Sequence, residues 1–109
     1  MADDVLQRLA ATIAARRTEP ASASYTRQLL DAGPERCAKK LGEEATETVI
    51  AALTQDGQTL RREAADLLYH LLVLLEARGV AWADVLAELG SRLGTSGLAE
   101  KAARGKTPP

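Results

Sequence analysis

The stretch from Lys39 to Asp66, KKLGEEATETVIAALTQDGQTLRREAAD, decides the fold of this chain. It contains Glu44-Ala-Thr-Glu47 and, after a short polar turn, Glu63-Ala-Ala-Asp66. In each pair the acids stand i,i+3, so on a helix both carboxylates project from one face about one turn apart. Two such helices folded back at the turn gather four carboxylates around a small volume. Like charges held that close repel strongly unless a cation sits among them. Hard oxygen ligands, with no Cys and at most one His nearby, favour Mg²⁺ or Mn²⁺ over zinc.

Composition agrees with packed helices. The chain has 109 residues, the length of a single domain, and 46% are hydrophobic, yet only 3% are aromatic and Phe is absent. A core of Leu, Ala, Val and Ile without β-branched or aromatic runs predicts an all-α fold. The net charge of −1 gives no sign of nucleic acid or an anionic membrane as partner. Cys37 is alone, so no internal disulfide forms; a buried inert thiol in a reducing, cytoplasmic setting is expected. The opening MADDVLQRLAATIAARR has acids where a signal peptide has bases, and the apolar run Leu67 to Leu75 is far short of the ~20 residues that span a bilayer.

Outward from the central stretch, Asp3 or Asp4 is expected to cap a first helix running to about Arg17, with Val5, Leu6, Leu9 and Ile13 on its buried stripe. Thr18 to Ala23, with Pro20, breaks it, and a short helix from Ser24 through Ala32 ends at Gly33. Pro34 opens the first hairpin helix, which runs to about Gln55. Asp56-Gly57 makes the turn, and Thr59 is expected to cap a helix reaching Arg78 and stopping at Gly79. A last helix over about Ala81 to Leu93 presents Trp82, Val85, Leu86, Leu89 and Leu93. The tail 95–109 is either one or two more turns around Leu98 to Arg104 or a flexible end.

On the first hairpin helix Arg36, Lys40, Glu43, Glu44 and Glu47 share one strip, while Ala38, Leu41, Ala45, Val49 and Ala52 share another. On the second, Glu63, Asp66 and His70 share a face, and Leu67 to Leu75 is apolar nearly all round. A helix apolar on every side must be buried on every side, and so small a chain has too little else to cover it. A homodimer whose two hairpins form a four-helix core is therefore expected. Gly42, inside the first hairpin helix, reads either as a site of close helix packing or as room for a ligand beside Glu43 and Glu44.

Phosphate is the ligand these features favour. Magnesium takes few protein ligands and leaves positions for substrate oxygens. Arg36, Lys39 and Lys40 lie one to three turns from the carboxylates, and no thiol, serine or histidine is placed as a nucleophile beside a base. Hydrolysis by metal-assisted attack of water is the route that remains. A di-iron site would need Glu-x-x-His on two helices, a spacing absent here. A non-enzymatic helical dimerisation module would explain the apolar helix but not the acids.

Four stretches, SYTRQLL (Ser24 to Leu30), KKLGEEATETVIAA (Lys39 to Ala52), EAADLLYHLLVLL (Glu63 to Leu75) and SGLAEKAARGK (Ser96 to Lys106), resemble the phosphoribosyl-ATP pyrophosphatases of histidine biosynthesis. The order and spacing match over nearly the whole chain. The two acidic motifs alone also mark the wider all-α NTP pyrophosphatases, so a MazG-like housekeeping nucleoside triphosphate pyrophosphatase stands as the alternative. Some family members are fused to the cyclohydrolase of the next step; a stand-alone form is expected here. The resemblance implies hydrolysis of 1-(5-phosphoribosyl)-ATP to 1-(5-phosphoribosyl)-AMP and pyrophosphate with Mg²⁺. It implies Glu44, Glu47, Glu63 and Asp66 as metal ligands, with Glu43 as a second metal contact or the base that orients water, so that Glu43 and Glu47 are the catalytic candidates. Lys39 and Lys40 would meet phosphate oxygens. Lys101, Arg104 and Lys106 would close over the substrate, or belong to a solvated end. Tyr25 and Thr26 would serve as a packing anchor with a capping hydroxyl or as substrate contacts. His70 is expected to be a hydrogen-bonded core residue rather than a ligand.

Overall fold

The computed structural model describes residues 2–94 together with 97, 101 and 104. Five α-helices follow one another, and among the described residues there is no strand. Helix α1 (Ala2–Ala15) tightens into a 3-10 turn over Arg16–Thr18, and a second such turn over Ala21–Ala23 follows Pro20. Because α1 already includes Ala2, Asp3 and Asp4 lie in its first turn rather than at a cap. Helix α2 (Tyr25–Ala32) begins on Ser24, whose hydroxyl accepts the Arg27 N–H at 3.1 Å. It ends at Gly33, whose φ of 96° few other residues tolerate, and Pro34 then opens α3 (Pro34–Thr54).

Only Gln55 and Asp56 separate α3 from α4 (Gly57–Ala77), so the two helices fold back as a hairpin with the most extensive contact in the molecule. The cap differs from the expected Thr59: the Asp56 carboxylate accepts the Thr59 N–H at 2.8 Å, and Gly57 is already helical. Asp and Thr are both good capping types, and here the cap falls at the end of the connection rather than two residues into the helix. A left-handed Gly79, with φ 71°, leads out of α4 towards α5 (Trp82–Ser91), which is slightly shorter than the expected 81–93.

The core joins Ile13 of α1, Leu29 and Leu30 of α2, Cys37 of α3, and Leu72 and Val73 of α4. Cys37 is buried as expected; its thiol donates to the Leu29 carbonyl at 3.3 Å, and burial pushes its pKa up, which keeps it unreactive. Val5 faces solvent, unlike the rest of the α1 stripe. On α3 the face turned to α4 carries Cys37, Leu41, Glu44, Thr48 and Ala51, while Val49 is 57% and Leu53 79% exposed. On α4, Leu72 and Val73 are buried but Leu68 is open to solvent. No helix among the described residues is long and apolar enough to cross a membrane. The readings of the tail as further turns or a flexible end fall largely outside the described residues.

Because Asp56 begins the helix that carries half the acidic site, its loss is measurable as stability. Asp56→Ala should lower the Tm by several degrees, because the Thr59 N–H loses its acceptor. Asp56→Asn, which keeps an acceptor, should retain most of the stability; thermal unfolding followed by circular dichroism checks both.

Candidate metal centre

Helices α3 and α4 meet at the level of the two acidic motifs. The Thr48 hydroxyl marks that level: its hydrogen is shared between the Glu44 carbonyl of its own helix, at 2.8 Å, and the Glu63 carbonyl of α4, at 3.3 Å. One carboxylate oxygen each from Glu44, Glu63 and Asp66 lies within 4.8 Å of the others. Glu47, on the exposed side, acts electrostatically on both Glu44 and Glu63 but is not among the three acids whose oxygens come within 4.8 Å of one another. Glu44 and Glu63 are partly buried, and Glu47 and Asp66 are open to solvent.

Electrostatics make the site unfavourable as it stands. Burial first, then the charges of Glu47, Asp66 and Glu63, push the Glu44 carboxyl above the usual carboxylate range. Burial and the adjoining Glu47 do the same to Glu63. The Oε2 atoms of both glutamates are buried and have no hydrogen-bond partner among the described residues. Buried carboxylate oxygens normally find donors. Orphaned oxygens converging from two helices are instead a donor set that fits a hard divalent cation.

The other side chains singled out from the sequence fall into three groups. Glu43 is exposed and pairs with Lys40 at 3.4 Å; both, with Thr46 and Glu47, line an open concavity of about 350 Å³. Lys39 and Arg36 are exposed on the same helix. Nothing in this chain lies within 4 Å of where a Gly42 Cβ would stand, so close packing within the chain does not explain that glycine. Tyr25 is half exposed, whereas Thr26 is buried and its hydroxyl bonds to that of Tyr69; the capping hydroxyl is that of Ser24. Lys101 and Arg104 are helical and exposed, and Lys106 lies outside the described residues.

His70 is buried in the core, as expected, but its hydrogen bonding is not: Nδ1 has no partner, and Nε2 stands 3.9 Å from Glu44 Oε1. Burial, helped by the Lys40 charge, lowers its pKa from the ordinary value. Its place under the acids was the least legible feature of the site. The signal available was its spacing, four residues beyond Asp66 and seven beyond Glu63 on one helical face.

The sequence matches the phosphoribosyl-ATP pyrophosphohydrolase family over residues 6–92. A protein of Cereibacter sphaeroides named phosphoribosyl-ATP pyrophosphatase is 57% identical over 101 residues, covering 93% of this chain and 98% of that protein. Proteins of the same name from Dinoroseobacter shibae and Rhizorhabdus wittichii are 58% and 59% identical, over 92% and 93% of this chain.

The raised Glu44 carboxyl has a consequence for stability. A carboxyl whose folded-state pKa lies above its unfolded value binds its proton more tightly when folded. Its ionisation therefore removes stability as pH rises from the ordinary value through the raised one, and the loss is complete above that. In metal-free protein Glu44→Gln should melt several degrees higher than wild type at pH 7.5, with the difference shrinking towards pH 4.5. Thermal melts in EDTA at both pH values check the sign.

Proposed function

Since the chain belongs to the phosphoribosyl-ATP pyrophosphohydrolase family, we propose that its acidic hairpin is a Mg²⁺ site serving that family's reaction. The enzyme hydrolyses 1-(5-phosphoribosyl)-ATP to 1-(5-phosphoribosyl)-AMP and pyrophosphate, the second step of histidine biosynthesis. The observation that carries the metal assignment is the meeting across α3 and α4 of one carboxylate oxygen each from Glu44, Glu63 and Asp66, with the Oε2 atoms of both glutamates buried and unpartnered among the described residues.

Glu44, Glu47, Glu63 and Asp66 hold the ion in this reading. When bound, Mg²⁺ reverses the local charge, polarises phosphoryl oxygens and makes water more acidic. The chain's own residues do the rest. Glu47 and Glu43, on the open side of the cluster, orient the attacking water and accept its proton at a carboxylate oxygen. Lys40, already drawn towards the site by Glu43, and Lys39 neutralise the charge that builds on the departing pyrophosphate. Lys101 and Arg104, both exposed, add positive charge for the polyphosphate, and the half-exposed Tyr25 of α2 borders the substrate while the buried Thr26 anchors that helix through Tyr69.

The same reading includes a homodimer. Val49, Ile50 and Leu53 on α3 and Leu68 on α4 are large apolar side chains on exposed faces of the hairpin. A second hairpin laid against those faces makes the four-helix core and covers apolar surface that the monomer leaves wet.

Pyrophosphate release should appear with phosphoribosyl-ATP and Mg²⁺, vanish in EDTA, and be absent with ATP, dUTP or dCTP. Glu44→Gln and Asp66→Asn should each lower turnover by orders of magnitude with unchanged helical circular dichroism; wild-type turnover in either removes that residue from the ligand set. Sedimentation equilibrium at micromolar concentration should give a species of twice the 11.6 kDa chain mass. A clean 11.6 kDa species rules the dimer out.

A further inference from the structure

We infer that His70 is a positioning residue of the acidic centre, donating its Nε2–H to Glu44 Oε1 so that Oε2 is presented to the ion. The inference rests on the magnesium-site reading above and extends it to a side chain outside the two acidic motifs.

Three observations converge on it. First, the imidazole is only 7% exposed and the Glu44 side chain 13%, and they face each other at 3.9 Å with Oε1 as the near oxygen. That is about 1 Å beyond a hydrogen bond, a gap that a small rotation of the carboxylate closes. Glu44 Oε2, the oxygen left over, has no partner.

Second, the two ring nitrogens differ in what they face. A hydrogen on Nδ1 would be buried with no acceptor among the described residues, the costlier way to leave a polar group unmade. On Nε2 it points at a carboxylate. The surroundings therefore select the tautomer that donates to Glu44.

Third, the ring is held from two sides. Tyr69 meets it edge-on with centroids 4.9 Å apart, and Tyr25 does so at 6.3 Å. The Tyr69 hydroxyl is itself bonded to Thr26. A continuous chain of contacts thus runs from α2 through Tyr69 and His70 to Glu44, and it gives the Tyr25-Thr26 segment a part in shaping the site. Partners that fix a ligating carboxylate in this way typically matter by 10–100-fold in metal affinity.

Mn²⁺, counted as free ion by electron paramagnetic resonance, is the probe. His70→Phe should weaken Mn²⁺ binding by about 10-fold or more. His70→Gln, whose amide reaches the place of Nε2, should recover most of the affinity. His70→Asn, whose amide stands where Nδ1 does, should not. In a Glu44→Ala background the further change His70→Phe should cost nothing, because the group it acts through is gone.

Equal Mn²⁺ binding by wild type and His70→Phe overturns the inference while leaving the metal site intact. So does an equal loss with and without Glu44, which is what a merely structural role produces. Should His70→Phe fail to fold, the Gln and Asn variants decide: indistinguishable affinities overturn the inference, and a difference in favour of Gln supports it. No Mn²⁺ bound by wild type overturns the magnesium-site reading and this inference with it.

Discussion

Everything in this molecule turns on carboxylates from two helices being held together where water reaches them poorly. Charge repulsion and desolvation both oppose that arrangement, and both are visible in the raised pKa of Glu44 and Glu63. What overrides them is the hairpin. A two-residue connection, capped by Asp56, forces α3 and α4 to pack along their lengths, and the core of Cys37, Leu72 and Val73 anchors them. The acids follow because they are attached to those helices. Packing energy is spent to hold the acids together against that cost.

The i,i+3 spacing divides each motif in a useful way. On α3, Glu44 faces α4 and is partly buried, while Glu47 stands on the exposed side of the same cluster; on α4, Glu63 is partly buried and Asp66 open. One member of each pair is therefore desolvated and geometrically fixed, and the other is free to adjust to whatever approaches. Glu43, next in sequence to Glu44, is exposed and meets Lys40 instead. A helix rotates by about 100° per residue, so consecutive acids necessarily serve different surroundings.

That same rotation explains what could be read from the sequence and what could not. Helix identity, the hairpin and the clustering of the two acidic motifs were legible, because they depend on local spacing, on Pro34 and Gly33, and on a short polar turn. Which flank of α3 meets α4 was not, since several of its strips carry apolar residues; Val49 and Ala52 proved exposed while Glu44 and Thr48 turned inward. The cap at Asp56 was missed because Asp56 and Thr59 are both capping types three residues apart, and only geometry shows which of them accepts the other's N–H. His70 was legible as a core residue from its apolar neighbours. Its approach to Glu44 was not, because that contact joins residues far apart in sequence and depends on how α3 and α4 are aligned.

The alignment of the two helices is in turn secured from outside the hairpin. Helix α2 carries Leu29 and Leu30 into the core, takes the Cys37 thiol on its Leu29 carbonyl, and ties Thr26 to Tyr69. Helix α1 adds Ile13, and the Arg17 guanidinium just beyond it binds the Glu76 carbonyl at 2.7 Å and its carboxylate at 2.5 Å. These contacts grip α4 over its middle and C-terminal turns, well away from the exposed apolar side chains Val49, Ile50 and Leu53 of α3. The hairpin is thus braced on one side by its own chain and left apolar on the other. The acids lie between the two, so any sliding of α4 along α3 would part Glu63 and Asp66 from Glu44. Burial of Leu72 and Val73 opposes that sliding as directly as it stabilises the fold, which makes the apolar core part of the acidic cluster's geometry.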